Sequence, residues 1–275
     1  MELRTRILPH MLNSEVEDYL KQNDLIYVPV GTVEMHGGYP LDVEEVISEA
    51  FALKMAEKTD GLILTGLQYF YAGATASGRG TVQVSVREGI DYLGAIAKSL
   101  LRQGFKRQVY LSFHGPATMT CSAMVRDFFD ETGVPILYID LSTQMFTNAA
   151  GVVQDIRDFH AISVGAYKIM DRLQDVPLVT GYESKEPQSC AWFNDILSLA
   201  QQSGSIGYCF AKQTDHMPTI DLPDEKTRED LADRGVKLIE KMTEKLKPEH
   251  IADQLVKIRE YDDEVCKEKP WIRRI

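Results

Sequence analysis

The sequence lacks both a cysteine ligand set and any long apolar run. Its 4 cysteines, at positions 121, 190, 209 and 266, form no Cys-x-x-Cys pair. That spacing excludes a cysteine zinc site and favours free thiols in a reducing cytoplasm. No apolar run reaches about 18 residues, the length that predicts a membrane-spanning helix. The first ten residues contain no apolar signal-peptide core, so we expect a cytoplasmic protein.

The chain also has fewer basic than acidic residues. The chain has 30 Lys and Arg against 41 Asp and Glu, a formal net charge of −11. This balance disfavours nucleic acids and anionic membranes as partners, and it leaves metal cations and small-molecule substrates open. The glycine-rich segment 69–81 is not a phosphate-binding P-loop, because no Gly-Lys-Ser/Thr follows it.

Apolar runs alternate with helical patterns over the first half of the chain. The runs at 25–30, 62–65, 109–113 and 135–141 are typical of buried strands. Helical spacing predicts helices over 12–22, 45–58 and 87–103, and another from Thr118 or Thr120 to Thr132. Because parallel strands need long crossovers, this alternation predicts an α/β protein. Its mostly parallel central sheet would lie between two helical layers, in a three-layer α/β/α arrangement.

The second half of the chain is mainly helical in outline. Its apolar spacing predicts surface helices over 188–202 and 224–247. A short strand is predicted between them, over 207–211. The stretch after Lys247 is charged, and Trp271 is its only large aromatic near the end, a side chain that a partner subunit could cover.

The stretch Leu25 to Glu49 has the strongest functional pattern. Glu34 and His36 follow the first strand, and Asp42, Glu44 and Glu45 come within 12 residues of Glu34. Ligands of α/β proteins bind at the carboxyl ends of strands. A Glu-x-His pair with nearby carboxylates offers nitrogen and oxygen ligands to a divalent metal. For Asp42 and Glu45 a solvated helix start is the alternative, because acidic side chains favour the first helical turn.

Two further histidines lie in loops. His114 directly follows the third predicted strand, so it is expected at the same sheet edge as the Glu-x-His pair. A structural role is the alternative for such a lone histidine. His216 lies between Asp215 and a Pro-bounded loop end, where a surface turn is favoured over a place in the site.

The Glu-x-His stretch resembles the creatininase family of metal-dependent amidohydrolases. That family has Glu-x-His-Gly and then Pro-Leu-x-x-Asp, and this chain has EMHG at 34–37 and PLDVE at 40–44. In the family the Glu and His bind metal and the Asp bridges two metals. The resemblance therefore implies metal ligation by Glu34, His36 and Glu44, with Asp42 as the runner-up for the bridge.

Two later family motifs match only in part. In the family, the His of an Asn-Gly-His motif binds metal; this chain keeps His114 and the following glycine but has no Glu two places on. The resemblance implies His114 as a ligand and leaves the second metal open. His160-Ala161 begins like the family's His-Ala-Gly-x-x-Glu-Thr-Ser, but Gly165 stands where the Glu would be. His160 is then implied as a proton donor or acceptor, a role that suits imidazole near neutral pH. A capping or surface role is the alternative.

The loop 69–81 also resembles a family segment, with RGT at 79–81 in place of Pro-Gly-Thr. Its glycines and aromatics are typical of a mobile wall over a pocket, with a plain surface loop as the alternative. We expect the substrate to lie under this loop, with Arg79 binding a polar substituent.

The resemblance extends from about Leu25 to about Lys245 and implies one creatininase-like domain over 1–275. It also implies a homo-oligomer, a hexamer as the family forms, and a divalent metal: zinc first, manganese or iron as alternatives. The implied reaction opens a small cyclic amide with a metal-activated water. Two alternatives stay open. One is hydrolysis of a ring C–C bond in a cyclic polyol diketone of the inosose type, and the other is a non-catalytic binding protein that kept the fold.

Overall fold

A four-stranded parallel sheet forms the centre of the protein, in the order β2-β1-β3-β4. The computed structural model describes residues 3–147, 151–180, 189, 191–203, 205–217 and 220–272. The strands are β1 (Leu25–Pro29), β2 (Leu62–Ile63), β3 (Arg107–Ser112) and β4 (Leu137–Asp140). β1 pairs with β2 and β3, and β3 pairs with β4, all in parallel. The predicted side-by-side parallel arrangement is confirmed.

The helices follow the strands in the expected alternation. They are α1 (Asn13–Leu20), α2 (Val43–Thr59), α3 (Val86–Gln103), α4 (Ala117–Thr132), α5 (Leu141–Phe146), α6 (Ile156–Ile169), α7 (Asn194–Ser203), α8 (Glu225–Leu246) and α9 (Pro248–Glu268). None of these helices, within the part of the chain that the structure describes, combines the length and apolarity needed to cross a bilayer.

The two faces of the sheet pack against different helices. Leu25 and Tyr27 of β1 belong to a core shared with α2, α6 and α8. The alternate residues Ile26 and Val28 belong to a second core, shared with α1, α3 and α4. Successive side chains of a strand point to opposite faces, so the apolar run of β1 serves both cores. The fold therefore has the predicted three layers.

The strand order creates a crevice at the carboxyl ends of β1 and β3. The connection from β1 to β2 runs through α2 on one face, and the connection from β2 to β3 runs through α3 on the other. From β3 the chain continues into α4, which packs on the same face as α3. The chain thus leaves β1 and β3 towards opposite faces of the sheet. Such a reversal point is where open α/β sheets bind ligands. The loops that carry Glu34, His36 and His114 begin there.

The helix ends show which local signals were informative. Gly104 and Gly133, at φ 110° and 67°, close α3 and α4 as predicted. The predicted starts were less accurate. At α1 the cap is the Glu15 carboxylate, which accepts a hydrogen bond from the Leu12 N–H at 2.7 Å. Helix α4 begins at Ala117 after Pro116, ahead of the threonines expected to cap it.

One prediction for the second half of the chain is wrong. Residues 207–211 form no strand, because their backbone bonds elsewhere: the Phe210 N–H donates to the Ala74 carbonyl at 2.9 Å and the Ser77 hydroxyl donates to the Phe210 carbonyl at 2.7 Å. The charged stretch after Lys247 forms α9, which buries Ala252 and Leu255 against the core. Residues 188, 190 and 218 of the predicted segments lie outside the described residues.

Candidate metal centre

Three polar side chains from the β1–α2 segment converge at the crevice. The His36 Nε2 atom lies 3.3 Å from Glu44 Oε1 and 3.9 Å from Glu34 Oε1. Glu34 is fully buried and His36 is 2% exposed. The loop places Glu34 and His36 just beyond β1, and the first turn of α2 presents Glu44 back towards them. The sequence prediction for these three residues thus corresponds to a buried cluster in space.

His114 approaches the same two carboxylates from the end of β3. Its Nδ1 atom lies 2.5 Å from Glu44 Oε2 and 3.3 Å from Glu34 Oε1. Its Nε2 atom hydrogen-bonds the Tyr71 carbonyl at 2.8 Å. The side chain is 1% exposed, and the adjacent β1 and β3 ends explain the proximity. The structure thus places His114 where the sheet geometry predicted it.

His216 also belongs to the cluster, so the favoured interpretation as a surface turn is wrong. Its ring packs against the His36 ring at 4.5 Å between centroids and stacks on Phe210 at 5.4 Å. One ligand atom from each of Glu34, His36, Glu44 and His216 lies within 4.8 Å of the others. The only sequence signal was a histidine beside an acid in a Pro-bounded loop. That pattern does not show that a residue 180 positions from His36 folds back onto it.

The cluster fits a divalent metal ion. Carboxylates and imidazoles together suit zinc, manganese and iron. Glu34 Oε1 is buried and, among the residues that the structure describes, has ion-pair contacts with His114 and His36 but no hydrogen-bond partner. A buried polar atom without a partner is costly unless something else binds it. The donor set and this carboxylate oxygen therefore agree with a cation site.

The charges of the cluster shift its pKa values strongly. Burial lowers the pKa of His36 and His114, but the carboxylates of Glu44 and Glu34 outweigh it and raise both. For Glu44, burial raises the pKa, and the charges of His114 and His36 more than reverse this and hold it well below its usual range. The paired carboxylates thus attract positive charge, which a divalent cation supplies in place of protons.

The neighbouring acids Asp42 and Glu45 lie outside the metal-binding cluster. Asp42 accepts a hydrogen bond from the Tyr167 hydroxyl at 2.7 Å and pairs with Arg172 at 2.9 Å. The alternative of a solvated helix start is wrong for Glu45, which is 2% exposed and packs against Gly31. A Cβ at Gly31 would lie 2.3 Å from Glu45 Oε2, so only glycine admits this carboxyl. Burial, and then the charge of Glu49, raise the Glu45 pKa well above its usual range.

His160 lies in α6 and is linked through Tyr39 to the loop at 30–42 that carries Glu34 and His36, here called the metal loop. The Tyr39 hydroxyl and His160 Nδ1 are 2.6 Å apart, and both side chains are buried. Burial lowers the pKa of His160, so its imidazole is neutral near pH 7. The surface alternative for His160 is wrong, since the side chain is only 8% exposed.

Gly165 explains why the later family motif is incomplete. It packs against Gly235 of α8, and a Cβ at Gly165 would lie 2.6 Å from the Gly235 carbonyl carbon. A Cβ at Gly235 would in turn lie 1.7 Å from the Ala161 carbonyl oxygen. The two helix backbones are in direct contact here, so no larger side chain fits. A glutamate at this position is incompatible with the α6–α8 packing.

The loop 69–81 covers one side of the cluster. Thr75 donates a short hydrogen bond to Glu34 Oε2, and the Thr81 hydroxyl accepts one from the Met35 N–H at 3.2 Å. Gly78 packs on Met35, where a Cβ would lie 2.5 Å from the sulfur. Arg79 is exposed at the outer turn of this loop. The loop therefore contributes directly to the site, while Arg79 lies at its rim.

Comparisons with known proteins agree with this architecture. A family model described as creatininase, creatinine amidohydrolase, matches residues 9–165, more than half of the chain. A 3-dehydro-scyllo-inosose hydrolase from Thermotoga maritima is 31% identical over 134 residues, 48% of this chain and 43% of that protein. The match thus spans less than half of that relative.

Solved structures with the same fold are also creatininases by name. A putative creatinine amidohydrolase from Bacteroides fragilis has a TM-score of 0.63 at 17% identity, over 92% of this chain and 98% of that chain. A mutant creatininase of the Zn-Zn type has a TM-score of 0.55 at 16% identity, over 86% and 96%. At such identities the likeness shows the fold alone. Together with the family match and the buried cluster at the sheet edge, it shows that this chain belongs to the creatininase family of hydrolases.

Proposed function

We propose that this protein is a metal-dependent hydrolase that opens a small cyclic substrate, in the first instance an amide, at a carbonyl carbon. The observation that carries the proposal is the buried cluster of Glu34, His36, Glu44 and His114, whose carboxylates and imidazoles lie within contact distance of one another. These four residues would hold the divalent metal, with zinc as first choice and manganese or iron as alternatives.

A divalent ion at these residues supplies an activated water and polarises the substrate carbonyl. His160 moves the proton. The Tyr39 hydroxyl lies 2.6 Å from His160 Nδ1. In the tautomer that this proposal requires, Nδ1–H donates to the Tyr39 oxygen, and the Nε2 lone pair of the neutral imidazole takes a proton from the attacking water. The water oxygen adds to the carbonyl carbon, the carbon–nitrogen bond breaks, and the Nε2 proton passes to the leaving nitrogen.

The loop 69–81 forms the substrate side of the site. Its backbone is held against the cluster through Thr75 and Thr81. Arg79, at the exposed rim, binds a polar substituent of the substrate. Because the loop contains Gly78 and Gly80, it follows the contour of Met35 and Leu41 closely.

A second candidate function is hydrolysis of a ring carbon–carbon bond in a cyclic polyol ketone. The match to 3-dehydro-scyllo-inosose hydrolase favours it. The same groups serve this reaction, but the leaving group is an enolate carbon, and the carbonyl oxygen next to it needs electrostatic stabilisation.

The test is a substrate panel measured with metal-loaded protein. Creatinine, other small lactams and a cyclic polyol diketone are incubated separately, and ring opening is followed by mass spectrometry as the gain of one water. Turnover of an amide supports the first candidate, and turnover of the diketone alone supports the second. Full metal loading without turnover of any compound would contradict a hydrolase and favour the non-catalytic binding protein.

A further inference from the structure

The three histidines of the cluster share one arrangement. Each has one ring nitrogen on a backbone carbonyl oxygen: His36 Nδ1 on Glu34 at 3.4 Å, His114 Nε2 on Tyr71 at 2.8 Å and His216 Nδ1 on Met35 at 2.9 Å. A carbonyl oxygen accepts only from a protonated nitrogen, so in each ring the other nitrogen is the one that can offer a lone pair to a cation. Metal-ligating histidines are oriented in this way. His216 has this arrangement as fully as the two histidines predicted to bind metal.

The two carboxylates divide the cluster into two sides. Glu44 turns Oε1 towards His36, at 3.3 Å, and Oε2 towards His114, at 2.5 Å. Glu34 Oε1, which accepts no hydrogen bond from the described residues, lies between the same two histidines, 3.9 Å from His36 Nε2 and 3.3 Å from His114 Nδ1. Counting His216, five protein side chains face this small volume. A single tetrahedral ion takes four ligands, and a catalytic one keeps a position for water.

His216 and His114 lie on different sides. The four side chains whose ligand atoms are all within 4.8 Å of one another are Glu34, His36, Glu44 and His216, and His114 is not one of them. His114 reaches the carboxylates from the β3 end and is tied to Tyr71. Glu44 contacts both sides, with one oxygen on each.

We propose that His216 is a metal ligand, at the side of the cluster that His36 and Glu44 Oε1 face and that His114 does not occupy. Glu34 lies near both sides. This inference rests on the metal-dependent function proposed above and extends its ligand set to a residue far along the chain.

The segment around His216 is built to hold the ring in place. The Asp215 carboxylate accepts hydrogen bonds from the backbone N–H groups of Lys212 at 3.0 Å and Ala211 at 3.2 Å, which fixes the turn. Phe210, which stacks on the His216 ring, is bonded through its backbone to the 73–77 turn. The same turn contacts Glu34 through Thr75. A cation at this position therefore ties the 205–217 segment to the metal loop.

The experiment counts bound metal and measures its affinity. Chelator-stripped wild type, His216→Phe and His114→Ala are titrated with Zn²⁺ against a chromophoric chelator, and the bound equivalents are confirmed by elemental analysis. His216→Phe keeps a ring between His36 and Phe210 but removes the ligand nitrogen. We expect two equivalents in the wild type and one in His216→Phe, with the remaining affinity unchanged. His114→Ala should lose the other equivalent.

A matched control is His250→Ala, which removes an exposed histidine of α9 and should bind as the wild type does. Melting of the stripped proteins checks that each variant is folded. If His216→Phe still bound two equivalents of Zn²⁺ with the affinity of the wild type, the proposal would be overturned. It would also be overturned if His216→Phe bound two equivalents with a Zn²⁺ affinity only roughly 10–100-fold lower, because that is the usual effect of removing an outer-sphere partner. A single equivalent in the wild type would contradict a cation on each side of the cluster.

A second readout locates the ligand. Hydrogen exchange of residues 205–217 should slow on Zn²⁺ binding in the wild type and not in His216→Phe, while the 31–45 segment slows in both. Equal slowing of 205–217 in both proteins would contradict ligation by His216. The metal ligand and the hydrolase can fail separately. If the wild type binds two equivalents of Zn²⁺ and His216→Phe binds one, but no substrate is turned over, His216 is a metal ligand and the hydrolase is refuted.

Discussion

Replacing Tyr39 by Phe tests whether His160 works as a positioned base. The variant removes one oxygen atom, which lies 2.6 Å from His160 Nδ1, and leaves the buried ring in place. His160 is 8% exposed, so water replaces the lost partner poorly. Leaving one partner of a buried hydrogen bond unsatisfied costs about 1–3 kcal/mol. If the imidazolium formed during the reaction bears that cost, kcat falls roughly 5- to 150-fold.

The assay is steady-state kinetics on the substrate found in the panel. We expect kcat to fall and KM to stay near the wild-type value, because Tyr39 contacts His160 and acts through it. In a His160→Ala background the Tyr39→Phe change should have little further effect, since its partner is already absent. Tyr261→Phe, an exposed tyrosine on α9, is the matched control. Additive losses in the double variant, or a Tyr39→Phe enzyme with wild-type kcat, would refute the positioned base.

The remaining predictions concern the base, the helix packing and the assembly. His160→Ala should lower kcat by roughly two to four orders of magnitude. Because burial lowers the His160 pKa, the rate of the wild type should fall with decreasing pH only below pH 6.5, where protonation of His160 removes the base. A rate that is independent of His160 at every pH would exclude it. Gly165→Ala should lower the free energy of unfolding by about 1–3 kcal/mol or more, because the added methyl group meets the Gly235 backbone. Gly94→Ala, in a helix and with no described atom outside that helix within 4 Å of the added Cβ, should raise it by about 0.5–1 kcal/mol. Urea unfolding measures both, and equal effects would contradict the close packing of α6 on α8. Light scattering should give the mass of a homo-oligomer, with six subunits expected, since Trp271 is 76% exposed in the single chain; a monomer at micromolar concentration would contradict this.

The sheet and its edge were predictable because local patterns determine them. The apolar run of β1 identified a buried strand, and a parallel sheet places the residues after β1 and β3 together. Glu34, His36 and His114 could therefore be grouped by their positions along the chain. Glu44 followed from its place in the first turn of α2. These residues are close in space because their strands are hydrogen-bonded neighbours.

The residues whose places were not predictable depend on contacts between distant segments. His216 reaches the cluster only because Phe210 and Asp215 fold its segment onto the 73–77 turn. The sequence does not distinguish Glu45 from an exposed acidic residue in the first turn of a helix. Its burial depends on the contact with Gly31, which only the folded structure shows. Helix α9 was not predicted, because most of its residues are polar or charged. Its narrow apolar face packs on a core that other elements form.

In the function proposed here, hydrolysis depends on a metal held at the Glu34, His36, Glu44 and His114 cluster. The most direct measurement is turnover before and after metal removal by a chelator and after stoichiometric return of Zn²⁺ or Mn²⁺, with His36→Ala and the exposed-site variant His10→Ala measured in parallel. We predict that the stripped wild type and His10→Ala are inactive, that both recover on metal addition, and that His36→Ala stays inactive throughout. Full turnover by the stripped protein, or by His36→Ala, would contradict the account.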